Sequence, residues 1–95
     1  MFHLTTDPID LAALREAAGN PHAGAVAVFE GTVRNHHQGR EVLRLEYEAH
    51  APVAEKEGQR IVRDAIERFD LDHAEAVHRT GPLEIGESAV IVAVS

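Results

Sequence analysis

A chain of 95 residues, 44% hydrophobic and 26% charged, with no cysteine, no tryptophan and a single methionine, has room for one small globular domain over residues 1–95 and not for two. The missing cysteines exclude a disulfide framework, a thiolate nucleophile and a zinc–thiolate site, so nothing calls for an oxidising compartment and a cytoplasmic location is expected. Nine basic against sixteen acidic residues, a formal net charge of −7, argue against nucleic acid or an anionic membrane as partner, and the longest apolar run, Ala89 to Val94, is too short to cross a bilayer.

Thr6-Asp7-Pro8-Ile9-Asp10 reads as a helix start, with Asp7 as N-cap, Pro8 at the first helical position and Asp10 in the first turn. Leu11, Leu14 and Ala18 then form an apolar stripe, and Gly19-Asn20-Pro21 ends it, with Gly19 suited to a left-handed cap. From Gly24 to Val33 a run of Val and Phe between small alanines predicts a largely buried strand that delivers Arg34 at its end. Residues 35–40 are polar and read as a connection. Over Glu41 to His50, Leu43, Leu45, Tyr47 and Ala49 alternate with Arg44, Glu46, Glu48 and His50, the pattern of a half-solvated strand. Two strands with so short a link predict an antiparallel hairpin.

Pro52 opens a helix in which Ala54, Gly58, Ile61, Val62, Ala65, Ile66 and Phe69 keep helical spacing and the charged residues face away. A third strand is expected over Ala74 to Arg79, turns at Thr80-Gly81-Pro82 and near Gly86, and a final strand over Ala89 to Val94. That last run is apolar on both faces, as a central strand should be. The order α, β, β, α, β, β predicts an α+β domain with helices covering one face of a mainly antiparallel sheet. Such a small chain buries only about 60–65% of its unfolded surface, so a partner subunit would help to cover it.

The window 31–40 holds Arg34, His36, His37 and Arg40 and no carboxylate, while the rest of the chain is acidic. Two guanidinium groups there suit a small anion such as a phosphate ester, and a solvated hairpin tip is the other reading of the same residues. His36 and His37 are adjacent, so on extended chain their side chains diverge, and no metal site is predicted. His78-Arg79 before a Gly-Pro turn reads either as a satisfied, partly buried histidine or as a second wall for an anion. Glu46 and Glu48 share a face with Arg44 and His50 and read as salt-bridged surface. No phosphate-loop or dinucleotide glycine pattern occurs, and Lys56, the only lysine, lies on a charged helix face.

The segment Gly24-Ala25-Val26-Ala27-Val28-Phe29-Glu30-Gly31-Thr32-Val33-Arg34-Asn35, then Leu45-Glu46-Tyr47-Glu48-Ala49, then His78-Arg79-Thr80-Gly81, then Ala89 to Ser95, resembles the catalytic (large) subunit of molybdopterin synthase. The resemblance runs from the first helix to the last residue in the family's order. It implies a fold of the α/β hammerhead type, a homodimer of large subunits, and a ubiquitin-like sulfur-carrier small subunit on each, a heterotetramer overall. The implied reaction moves sulfur from thiocarboxylated carrier to cyclic pyranopterin monophosphate, two sulfurs per pterin, giving the dithiolene of molybdopterin with no metal or organic cofactor.

By the same resemblance, Arg34 falls on the family's substrate-binding arginine, with Thr32 and Val33 beside it. Phe29 matches an aromatic near the active site, and His78 and Arg79 match a recurrent family motif and are kept as structural or supporting candidates; with Arg40, taken from the basic window, they are possible active-site neighbours. The family's catalytic lysines follow a Ser-Ala-His-Arg segment and a helix that would lie beyond Ser95, and Lys56 matches neither. Relative to the family the chain is therefore expected to be C-terminally incomplete. It is read as a shortened form of an active enzyme or, alternatively, as a non-catalytic module for carrier binding or dimerisation.

Overall fold

The final apolar strand lies inside a four-stranded sheet, as its two-faced hydrophobicity predicts. In the computed structural model of the chain the described residues are 1–37, 40–41, 44–47 and 51–95. The elements are β1 (Phe2–Thr5), α1 (Leu11–Ala18), β2 (Ala27–Thr32), β3 (His36–His37), β4 (Arg40–Glu41), β5 (Arg44–Tyr47), α2 (Ala51–Phe69), β6 (Ala74–Arg79), β7 (Gly81–Glu84) and β8 (Ser88–Val94). The main sheet has the order β1–β6–β8–β2, and β3–β4 and β5–β7 form two-stranded pairs. Among the described residues all pairings are antiparallel except β1 with β6. The α+β class and the mainly antiparallel sheet are thus as expected.

The strand expected to be largely buried over Gly24 to Val33 forms as β2 at the sheet edge and is mostly exposed, both caps of α1 differ from those expected, and four further details depart from the sequence reading. β1 was hidden in a segment too short for its alternation of Phe2 and Leu4 with His3 and Thr5 to stand out. Thr80-Gly81-Pro82, expected as a turn, leads directly into β7, because Gly81 at φ 87° turns the chain while Pro82 and Leu83 remain extended opposite Glu46 and Leu45. The expected hairpin between the second and third predicted segments is replaced by other partners: β2 pairs with β8 and β5 with β7. Among the described residues of this stretch, only the short β3–β4 pair, His36 opposite Glu41 and His37 opposite Arg40, folds back locally. The predicted loop positions 38 and 39, and 42, 43 and 48–50 of the predicted strand, lie outside the described residues.

The fourth difference is the placement of the helices, which take opposite faces of the sheet. On α1 the N-cap is Asp10, not Asp7: its Oδ1 accepts from Ala13 N–H at 3.0 Å, so the helix begins only after the Pro8-Ile9 pair. Gly19 ends it in an extended conformation, φ −73°, and not in the left-handed one. Leu14 and Ala18 pack on Ile91 and Ala93 of β8 with Val77 of β6 at the margin. Phe2 stands in register with Ala76, whose side chain alternates to the other face of β6, and there it meets α2 at Gly58. α2 ends at Asp70, φ 52°, with Leu71 N–H donating to Ile66 C=O at 3.1 Å, the bond of a Schellman cap.

Gly58 is what lets α2 approach the sheet. A methyl group at that position would stand 2.3 Å from the Phe2 ring. Replacing a helical glycine by alanine gains about 1 kcal/mol of propensity, but overpacking costs about 1–3 kcal/mol. Gly58→Ala is therefore expected to destabilise the protein, and to become stabilising once Phe2→Ala removes the ring. Thermal unfolding of the two single variants and the double checks the reversal, and a stabilising Gly58→Ala with Phe2 present would contradict it. Among the described residues no helix is long and apolar enough to cross a membrane.

Candidate functional site

The expected anion-binding arginine is presented by a buried neighbour. β2 slips register against β8 between Gly31 and Thr32, so the chain departs from the ladder there. Val33 then makes a new pair of bonds: its N–H donates to Glu87 C=O at 3.0 Å, and its C=O accepts from Gly86 N–H at 2.8 Å. Gly86 permits this because the turn holds it at φ 87°, a region other residues enter at a cost. The Val33 side chain is 3% exposed and packs with Leu83 and Ala89. Thr32 before it and Arg34 and Asn35 after it are exposed. Two backbone bonds and one buried side chain thus fix the point from which Arg34 leaves the sheet.

The other predicted residues distribute around this point. Phe29, opposite Val92 on β2, is 64% exposed. Its ring edge lies near Gly31, where an added Cβ would come within 2.8 Å of Val90, so the strand approaches β8 closely at this bulge. Leu4, His78, Val90 and Gly31 form one row across the sheet. That row places the His78 backbone two strand spacings, roughly 10 Å, from Gly31. His78 Nδ1 lies 2.7 Å from the Arg79 carbonyl oxygen, which favours the satisfied-histidine reading. Arg40 opens β4 opposite His37; the placement of its side chain lies outside the described residues.

Arg79 is 8% exposed, the one buried charged residue among those described. Its guanidinium donates to the Glu87 carboxylate and, at 3.1 Å, to the Thr6 carbonyl oxygen. Glu87 in turn accepts from Glu84 N–H at 3.1 Å. The Arg79 hydrogen bond, and after it the Glu84 N–H, hold the Glu87 carboxyl below the usual carboxylate range. Glu87 was not singled out from the sequence. The signal was an acidic residue facing back across a turn from an inward-pointing arginine, and turn geometry is needed to see it.

An open cleft of about 390 Å³ lined by Leu4, Thr5, Thr6, Ala51, Glu55 and Thr80 contains none of the predicted residues. The carboxylate of Glu30, the acid nearest in sequence to Arg34 on its N-terminal side, accepts from the Ser88 hydroxyl. Chemically, then, the site offers an exposed guanidinium on a rigid stem, suited to a compact anion.

The family described as MoaE protein matches residues 4–95. The molybdopterin synthase catalytic subunit of Staphylococcus carnosus is 43% identical over 94 residues, 99% of this chain and 63% of that protein. A crystal structure of molybdopterin synthase from Staphylococcus aureus superposes with a TM-score of 0.89 at 40% identity, over 97% of this chain and 67% of that one. A Helicobacter pylori structure, a complex of subunits 1 and 2 of molybdopterin-converting factor, shares the fold with a TM-score of 0.77 at 20% identity, over 98% of this chain and 63% of that one. The chain spans half the length of its human and bovine relatives, also molybdopterin synthase catalytic subunits. Fold and sequence agree on one family over nearly the whole chain, and the chain belongs to the MoaE proteins.

Proposed function

We propose that this chain carries the pterin-phosphate-binding part of a molybdopterin synthase catalytic subunit, in which Arg34, flanked by Thr32 and Val33, holds the phosphate of cyclic pyranopterin monophosphate. The observation that supports this most is the stem of Arg34: a guanidinium raised on the doubly bonded, buried Val33 inside a segment without carboxylates. A charged donor on a backbone so fixed loses little backbone freedom on binding, which favours recognition of a small anion over a solvated tip. The reaction served is transfer of two sulfurs, one from each of two thiocarboxylated ubiquitin-like carriers, each carrier being left as its carboxylate, by homodimeric large subunits in the cytoplasm. The Helicobacter pylori structure, a complex of two subunits on the same fold, supports a second subunit as partner.

Mixing the chain with carrier thiocarboxylate and cyclic pyranopterin monophosphate tests the proposal. Pterin binding that depends on Arg34, with dithiolene product, supports the enzyme reading. Carrier binding without pterin binding supports a docking module in its place, and binding of neither overturns both.

A further inference from the structure

We propose that Arg79, acting through Glu87, is a positioning residue that sets where Arg34 stands. The inference rests on the reading of Arg34 as the anion-binding residue and adds to it a second layer that touches no substrate.

The chain of contacts is continuous. Arg79 leaves the end of β6 and points inward, where one guanidinium nitrogen holds the Thr6 carbonyl and another holds the Glu87 carboxylate. Thr6 lies in the link between β1 and α1, so Arg79 joins that link to the β7–β8 turn. Within the turn the Glu87 carboxylate also takes the Glu84 N–H, which closes the turn on itself. The backbone of the same turn carries both bonds to Val33, from Gly86 N–H and to Glu87 C=O. Arg34 is the next residue. A shift of Glu87 therefore moves the two atoms that hold the base of Arg34.

As a source of stability this arrangement is poor. The Arg79 Nε is buried without a hydrogen-bond acceptor among the described residues, and a desolvated guanidinium with an unmatched donor costs much of what its ion pair returns. The side chain does supply geometry. Its planar fork fixes two acceptors on separate segments at set directions, which a lysine ammonium on a flexible stem does not do.

The test uses inorganic phosphate as probe on the whole chain, with Arg34→Ala, Arg79→Gln, Arg79→Lys and Glu87→Ala. Arg79→Gln and Glu87→Ala are each expected to weaken phosphate binding at least about threefold. They are also expected to speed amide exchange at Val33 and Gly86 by about tenfold, the loss of roughly one net hydrogen bond, while Ile91 keeps its protection. The double variant should lose no more than the worse single one, because both cut the same link. Arg79→Lys should restore part of the binding. Phosphate binding that is lost in Arg34→Ala but intact in Arg79→Gln and Glu87→Ala overturns this inference alone. Binding intact in all of them, Arg34→Ala included, removes the reading of Arg34 on which it rests. Should Arg79→Gln fail to fold, Glu87→Ala carries the same comparison, since the Glu87 side chain is 38% exposed.

Discussion

Arg34→Ala is expected to weaken binding of cyclic pyranopterin monophosphate roughly ten- to 150-fold. A hydrogen bond between a guanidinium and phosphate contributes about 1.5–3 kcal/mol when the pair is partly desolvated, and each 1.4 kcal/mol is about tenfold in affinity. The truncation does not collapse the stem, because Val33 keeps its bonds to Gly86 and Glu87 through backbone atoms. The loss should therefore fall on binding, with the melting temperature nearly unchanged. Arg34→Lys should recover only part of it, since an ammonium keeps the charge and loses the two-pronged contact. Calorimetric titration with the pterin monophosphate measures all three proteins. Equal affinities for the wild-type chain and Arg34→Ala would remove Arg34 from the site.

Leu83→Ala is expected to be the most damaging single truncation for stability near the site. Leu83 and Ile91 are the largest fully buried side chains, each at 0% exposure, and Leu83 fills the space between Val33 and Ala89. Removing a buried leucine's outer carbons costs about 2–5 kcal/mol, out of a total of about 5–15 kcal/mol for a domain. For a chain of this size that lowers the melting temperature by roughly 10–30 °C. Phe69→Ala is the control: its ring is larger but 67% exposed at the end of α2, and its removal should cost less than about 1 kcal/mol. Thermal unfolding ranks the two, and the reverse ranking would contradict the assignment of the core. Because the cavity opens directly under Val33, Leu83→Ala should also weaken anion binding in the molecules that stay folded.

The elements legible in the sequence are those whose physics is local. The 3.6-residue spacing from Ala54 to Phe69 gave α2 nearly its full length, and the unbroken apolar run from Ala89 to Val94 gave a central strand. Pairing was not legible. β2 and β5 are close in sequence and both strand-like, yet β2 takes β8 from the far end of the chain, because only a strand apolar on both faces can sit between β2 and β6 with helices on each side. Local composition could not reveal β7 either, since Gly81-Pro82 carries a turn signature and becomes a strand only through its register with Glu46 and Tyr47. At the site, Arg34 stood out as a cation in an acid-free window. Its support did not, because the bonds from Val33 to Gly86 and Glu87 are made by backbone atoms, which carry no residue-type signal. Arg79 was visible as a residue, and its partner Glu87 was not.

The position of β8 in the sheet has a consequence for how the protein is made. β8 is the last strand in chain order and the second from one edge in space, flanked by β6 and β2. During synthesis every earlier strand emerges before the one that joins them. Until residues 88–94 leave the ribosome, β2 has no partner in the main sheet, and the β1–β6 pair has α2 on one face and no strand at its inner edge. The sheet thus assembles late and by contacts distant in sequence, which is slow and leaves Leu14 and Ala18, which pack on Ile91 and Ala93, uncovered in the nascent chain. Conditions that slow elongation over the codons for residues 88–94 should therefore lower soluble yield more than the same delay within α2.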